Sequence, residues 1–328
     1  MTSRVVIFAP NWLGDAVMAL PAIADLCRAR PGATIDIAAR PPIAPLVSLI
    51  PGVGRALVLG ERRASVEAVK AGAYDECLLL PNSFNVAWIA RSAGVPERWG
   101  YRNEFRSVLL TRAFSPPSRV HQVEYYQRLT TALGLAPGPM VPQLSVSSEL
   151  GARGAALLAD RGWDRRSPLV AVAPGAAFGS AKRWPAGRFA ATIDALARDG
   201  VRSVLIGAPA DLAATREVID LLRSALPPID LVGATDLQLL AAVLVQTRAL
   251  VTNDSGAMHV AAALGINVTA IFGPTNEGET RPLGSGRRSV VHADTWCRPC
   301  MLRECPLTHR CMTGVGVETV VADVRANL

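Results

Sequence analysis

Lysine is almost missing from this chain. Lys70 and Lys182 are the only two among 34 basic residues, and arginine supplies the rest. Aromatic residues make up only 5%, too few for the stacking platforms that hold single-stranded nucleic acid. No block of five or six like charges occurs, so the net charge of +7 describes a diffuse basic surface. Such a surface attracts phosphorylated substrates or anionic lipid, and no nucleic-acid partner is expected. Compositional drift toward arginine explains any single one of these residues equally well. No apolar run reaches the roughly 18–20 residues needed to span a bilayer. The first 26 residues superficially resemble a signal peptide. Asn11, Gly14 and Asp15 interrupt that run, however, and no clean small-residue cleavage site follows. A cytoplasmic protein is expected.

Several motifs are missing too. No G-x-G-x-x-G follows the first strand of either half, since Gly52-Val53-Gly54 lacks the third glycine and the right context. A dinucleotide dehydrogenase is therefore disfavoured, and the absence of G-x-x-x-x-G-K-[ST] disfavours a P-loop nucleotidase. No Asp-x-Asp occurs, which argues against a metal held by such a pair. No cofactor is expected.

What the chain does have is length and rhythm. Its 328 residues, 50% of them hydrophobic, suggest two domains of ordinary size with ample cores. Strands are expected at 4–9, 34–39, 56–59, 76–80 and 98–101, with helices between them. A helix over 16–30 contains Pro21, which should kink it. A second series of strands is expected at 169–173, 202–207, 229–232, 249–252 and 268–272. Helices are expected at 185–198, 211–226, 236–246 and 256–264. The Pro- and Gly-rich stretch 137–142 separates the two series, and the domains are placed at 1–147 and 148–328. This alternation implies parallel sheets covered on both faces. The expected fold class is α/β, with two doubly wound, Rossmann-like domains facing each other across a cleft. A final helix over 317–327 is expected to pack across either domain.

Ligands of open α/β sheets bind beyond the carboxyl ends of the strands. In the second series three such ends carry unusual residues. One is Pro174 to Pro185, which contains Ala176 and Lys182. Its glycines keep the backbone open, Pro185 suits the first position of a helix, and Lys182 offers a point charge to a phosphate. The second is Thr252-Asn253-Asp254-Ser255-Gly256-Ala257-Met258-His259, a strand end, polar turn and helix start. Asp254 or Ser255 is a good N-cap there. Gly256 permits close approach of a ligand, and His259 falls in the first helical turn. Free N–H groups and the helix dipole make this an anion site, although an ordinary helix cap accounts for the same eight residues. The third is Phe272-Gly273-Pro274-Thr275-Asn276. Together the three resemble a diphosphate site neutralised by Lys182, Arg183, backbone N–H groups and the dipole.

In the first series Asp15 follows Gly14 at a strand-to-helix turn. As an anion it suits general-base work on a sugar hydroxyl; a helix cap is the plainer role. Asn82 and Ser83 end another strand on the same rim. Near the C-terminus Cys297, Cys300, Cys305 and Cys311 surround His309. The spacing fits no standard zinc ribbon or finger. A structural metal, thiols packed in a hairpin, and redox pairing all stay open, and no catalytic role is assigned. Cys27 and Cys77 lie in apolar stretches and are expected to be buried thiols.

Four segments taken together resemble the lipopolysaccharide heptosyltransferases of glycosyltransferase family 9. They are Pro10 to Met18, Pro81-Asn82-Ser83-Phe84, Gly179 to Pro185 and Thr252 to His259. The resemblance covers most of the chain and implies a GT-B fold with the donor in the C-terminal domain. It implies inverting, metal-independent transfer of L-glycero-D-manno-heptose from ADP-heptose. The implied acceptor is the first heptose of the Kdo2–lipid A inner core, with a peripheral contact at the inner face of the inner membrane. By this resemblance Asp15 is the base, and Lys182, Asp254, Ser255, Gly256 and His259 meet the donor, with Ala176 and Gly273 beside them. Asn11, Asn82, Ser83 and Arg102 are candidates for the acceptor. The family's acidic nucleoside contact falls near Gly207 to Asp211 and cannot be placed from sequence. Arg91, Arg98, Arg102 and Arg106 suit either acceptor charges or a solvated face. Other core transferases of the same family, a nucleotide-sugar epimerase, and a non-catalytic sugar-nucleotide-binding protein are the competing readings.

Overall fold

The computed structural model describes residues 3–328, apart from the side chain of Glu104. The chain divides into two compact units, Met1–Ser145 and Val146–Leu328.

The first unit is built on six parallel strands: β1 (Arg4–Phe8), β2 (Thr34–Ala39), β3 (Ala56–Val58), β4 (Glu76–Leu79), β5 (Glu97–Tyr101) and β6 (Arg112–Phe114). Their order is β3-β2-β1-β4-β5-β6. In β1 the residues Val5 to Phe8 are fully buried, as a central parallel strand covered on both faces requires. The helix expected over 16–30 is two helices, Leu13–Met18 and Leu20–Ala29, which meet at Ala19. Pro21 lies in the first turn of the second, where its missing N–H costs nothing.

The second unit repeats the plan with β7 (Leu169–Ala173), β8 (Arg202–Leu205), β9 (Ile229–Asp230), β10 (Ala249–Asn253), β11 (Asn267–Phe272) and β12 (Arg288–His292). The order is β12-β11-β10-β7-β8-β9. In both sheets the strand order therefore reverses beside the first strand, between β1 and β4 and between β7 and β10. Such a switch point leaves a crevice at the carboxyl ends of the two strands. The helix Ala186–Arg198 covers one face, with Phe189, Ala190, Ile193 and Leu196 in the core. Their spacing is that of a single helical stripe.

Three further features depart from the pattern expected from sequence. Strands β6 and β12 were not anticipated. Both are partly exposed edge strands, and an edge strand needs no continuous apolar run. The helix expected to reach residue 226 ends at Asp220. Beyond it the Asp194 carboxylate accepts from the backbone N–H groups of Arg223 (3.2 Å) and Ser224 (2.9 Å), which redirects the chain. Pro185 sits at the N-cap of its helix and not at the first helical position. The final helix, Val317–Arg325, packs on Ala186–Arg198, β11 and β12, all within the second unit, one of the two domains expected for it.

One buried carboxylate fixes the helices that flank the first unit's switch point. Asp25 accepts from Gln127 Nε2 (3.0 Å), Thr130 Oγ1 (3.3 Å) and Gly138 N (2.9 Å), and pairs with Arg28. It ties Leu20–Ala29 to Gln122–Ala132, the helix that also packs on Leu13–Met18 and so bears on Asp15. Losing the acceptor of a buried donor costs roughly 1–3 kcal/mol. Asp25→Ala strands Gly138 N and one N–H of Gln127, since Thr130 Oγ1 keeps Gln127 O as acceptor. It should destabilise the first unit by about 3 kcal/mol in urea unfolding, with Asp25→Asn losing less.

Candidate active site

The second unit brings the donor candidates together at its switch point. Lys182 follows β7 and Asp254 follows β10, and Lys182 Nζ lies 2.6 Å from Asp254 Oδ2. Both side chains are largely shielded from water, at 13% and 6% exposed. Thr275, from the loop after β11, donates to the same Oδ2 at 2.7 Å. Three loops from three adjacent strands thus meet on one carboxylate oxygen. Lys182 Nζ also lies 4.7 Å from the centre of the Phe178 ring, over which the Arg303 guanidinium is placed as well.

The helix Gly256–Ala263 begins beside this pair. Ser255 occupies its N-cap position, yet its side chain makes no capping hydrogen bond. The Ser255 hydroxyl pairs with Thr252 Oγ1 at 2.9 Å, and Asp254 is engaged by Lys182 and Thr275. Neither residue expected to cap the helix does so. Its N-terminal N–H groups and dipole therefore stay available to an anion. His259 is buried in the same helix.

The loop that carries Lys182 is pinned from several sides. Asn253, fully buried, donates to Pro174 O (2.8 Å) and Gly175 O (3.3 Å) and accepts from Trp184 N (3.0 Å). His309 Nε2 meets Ala181 O at 2.6 Å, and Ala181 N donates to Arg303 O at 3.0 Å. Gly179 has φ +156°, and a Cβ there would collide with the Arg303 backbone. Arg298 Nε donates to Gly273 O at 2.6 Å, while a Cβ on Gly273 would strike Met312. Ala176 is buried within the same loop. The segment that contains the cysteines is thus a brace for the loops after β7 and β11.

The four C-terminal cysteines line one apolar hollow of about 270 Å³, together with Leu307 and His309. All are free thiols, and Cys311 reaches into the hydrophobic core. Burial, and then its neighbours Cys297, Cys305 and Cys300, push the Cys311 thiol up. Among the described residues no group of three His, Cys, Asp or Glu side chains is placed to hold a metal ion.

Asp211 is the acidic residue of the stretch Gly207 to Asp211. It follows β8, accepts from Ala208 N at 2.9 Å and packs so close to Gly175 that a Cβ there would overlap its carboxylate. This puts a carboxylate next to the loop after β7.

In the first unit Asp15 lies in the first turn of Leu13–Met18 after β1. Burial, and then the nearby Asp15 charge, push the Tyr126 hydroxyl up, so the carboxylate sits beside that ring. Asn11 is exposed in the bend just before this helix. Asn82, after β4, donates to Tyr125 OH at 2.6 Å. Ser83 caps the helix Phe84–Ser92, accepting from Val86 N at 3.4 Å. Arg102, after β5, is exposed and donates to Ala113 O at 3.1 Å. These residues share the carboxyl-end rim of adjacent strands.

Two of the four arginines expected to lie on a solvated or acceptor-facing surface are otherwise engaged. Arg106 is buried, donates to Pro81 O, and is lowered to about 10 by that burial. Arg98 donates to Leu109 O (2.7 Å), Val95 O (2.5 Å) and Pro96 O (2.8 Å). Both hold backbone together at the edge of the sheet.

Reasoning from sequence missed Thr275 and the staple made by Asn253. Both lie within segments already singled out. Only the folded contacts show that one reaches Asp254 and the other crosses to β7.

The model of glycosyltransferase family 9 (heptosyltransferase) matches residues 62–310. Lipopolysaccharide heptosyltransferase 2 of Salmonella typhimurium is 33% identical over 307 residues, 88% of this chain and 87% of that protein. The protein of the same name from Escherichia coli is 33% identical over 310 residues, with 88% and 87% covered. The solved structure of E. coli ADP-heptose LPS heptosyltransferase II superposes with a TM-score of 0.87 at 31% identity, covering 98% of each chain. Its likeness extends to both α/β units, the architecture of GT-B glycosyltransferases. On fold, sequence and family model alike, the chain belongs to glycosyltransferase family 9 and is a heptosyltransferase.

Proposed function

We propose that the protein transfers L-glycero-D-manno-heptose from ADP-heptose to the first heptose of the lipopolysaccharide inner core, with inversion and without a metal. The observation that carries this reading is the meeting of Lys182, Asp254 and Thr275 beside an uncapped helix N-terminus. That arrangement suits a diphosphate next to a sugar: cation and N–H groups for one, a carboxylate for the other. The choice of donor and acceptor is supported by the relatives, which are named as heptosyltransferase 2 and ADP-heptose transferase.

In this mechanism the second unit binds the donor and the first the acceptor. Lys182 Nζ and the N–H groups at Gly256 take up the negative charge that grows on ADP as the glycosidic bond breaks. Such preorganised stabilisation is commonly the largest catalytic contribution. Asp254 accepts from donor sugar hydroxyls, His259 stands near the diphosphate, and Asp211 accepts from the ribose. Asp15 takes the proton of the acceptor hydroxyl as that oxygen attacks the anomeric carbon. Asn11, Asn82, Ser83 and Arg102 lie on the rim assigned to the acceptor. Among the described residues no helix is long and apolar enough to cross a membrane. The proposed contact with the inner membrane follows from the lipid of the acceptor.

Two substitutions separate these roles. A general base contributes about 10²–10⁴-fold, so Asp15→Ala should cut transfer by that factor while ADP-heptose still binds. Loss of donor binding with unchanged residual turnover would remove Asp15 from this role. Lys182→Ala should raise the donor KM and lower kcat together, since it acts on both bound and reacting diphosphate. Mass and linkage analysis of the product made from ADP-heptose and truncated lipid A acceptors checks the reaction itself.

A further inference from the structure

A second hollow opens beside the loops after β11 and β12. It encloses about 400 Å³ and is lined by Asn276, Glu277, Asp294, Thr295, Trp296 and Arg298. It lies beyond the carboxyl ends of β11 and β12. The loop after β11 supplies Asn276 and Glu277 to it, directly after Thr275, the residue bound to Asp254.

Trp296 lines this hollow and is 84% exposed. Leaving so large an apolar ring in water forfeits its burial, so an unused position would not favour it. The charges around the ring narrow the ligand. Arg298, itself mostly buried, is occupied by Glu277 (2.8 Å) and by Gly273 O. His292 Nε2 lies 3.2 Å from Asp294 and its Nδ1 4.0 Å from Glu277. Two carboxylates therefore face one committed guanidinium and one shared imidazole. A phosphate or carboxylate would find no uncommitted cation and two repelling anions. A neutral ligand with both an apolar face and several hydroxyls suits the site. The ring takes the C–H face, and the carboxylates accept from hydroxyls in charge-assisted bonds. The volume is within the usual range for small-molecule sites, about 300–1,000 Å³.

We propose that Trp296, Asp294 and Glu277 form a subsite for a neutral pyranose of one of the two substrates, the transferred sugar or a sugar of the acceptor. This rests on the reading of the protein as an ADP-heptose-dependent transferase. Arg298 and Gly273 hold the subsite at a fixed place relative to Asp254, so a sugar bound there is positioned against the reacting centre.

Trp296→Ala tests this with little risk to the fold, because the side chain is exposed. Wild-type turnover of ADP-heptose is measured first, and its absence would count against the transferase reading and not against the subsite. Given that turnover, the variant should raise the KM of one sugar substrate about tenfold, the equivalent of 1.4 kcal/mol. Trp296→Phe should recover most of the loss, and Asp294→Asn should act in the same direction as Trp296→Ala. A higher KM for ADP-heptose with unchanged affinity for ADP assigns the subsite to the donor's sugar. A higher acceptor KM with unchanged donor KM assigns it to the acceptor. Unaltered KM for both substrates would overturn the proposal, as would a proportionate loss of affinity for ADP alone.

Discussion

A lysine held away from water at the ends of two parallel strands must find an anion. Here Lys182 finds Asp254 at 2.6 Å, and much of the second unit is arranged around that contact. Buried ion pairs are poor sources of net stability, because desolvating two charges offsets most of their attraction. In the proposed reaction the pair serves as a prepared anion site. Asp254 neutralises Lys182, a donor diphosphate would draw Nζ toward it, and Thr275 would still donate to the Asp254 oxygen that Lys182 gives up. The carboxylate is then not left buried without a partner, which would be the costly outcome.

The position of this pair depends on parts of the chain far from it in sequence. Asn253 holds the loop after β7 to the end of β10. The segment 298–312 holds that loop from another side, through His309 and Arg303 to Ala181, and holds the loop after β11 through Arg298 to Gly273. That segment contains little regular structure, so its place is set by these bonds and by Cys311 and Met312 in the core. The cysteines are therefore linked to the donor loops whatever their chemistry. The same bonds fix the hollow at Trp296, since Arg298 belongs both to its wall and to the Gly273 contact.

Much of this was legible in the sequence. Central strands such as β1, β7 and β10 carry unbroken apolar runs (Val5–Phe8, Leu169–Ala173 and Ala249–Val251) because both faces are covered, and such runs are visible without coordinates. The edge strands β6 and β12 lack that signature, since only part of each is buried. Lys182 and Asp254 stand out in the sequence as candidates from their places at strand ends. Their pairing does not, because 72 residues separate them and only the strand order places β7 beside β10. The expectation that Asp254 or Ser255 caps the helix rested on a local propensity. It gave way to tertiary partners, Lys182 and Thr275 for one and Thr252 for the other. Arg106 is the converse case: read from sequence as one more surface arginine, it lies buried against Pro81.

These departures share a physical cause. Local rules assign each polar residue to its nearest backbone group, and they hold where nothing better is within reach. At a switch point two loops distant in sequence are forced together, and polar side chains find stronger partners there than a helix end. The helix Gly256–Ala263 loses its side-chain cap as a result. Its first N–H groups remain exposed to whatever enters, at some cost in stability of the order of 1 kcal/mol. A capped helix would be the more stable protein and the poorer anion site. The failure of the capping rule at Asp254 and Ser255 therefore supports the proposed anion site alongside the Lys182 charge.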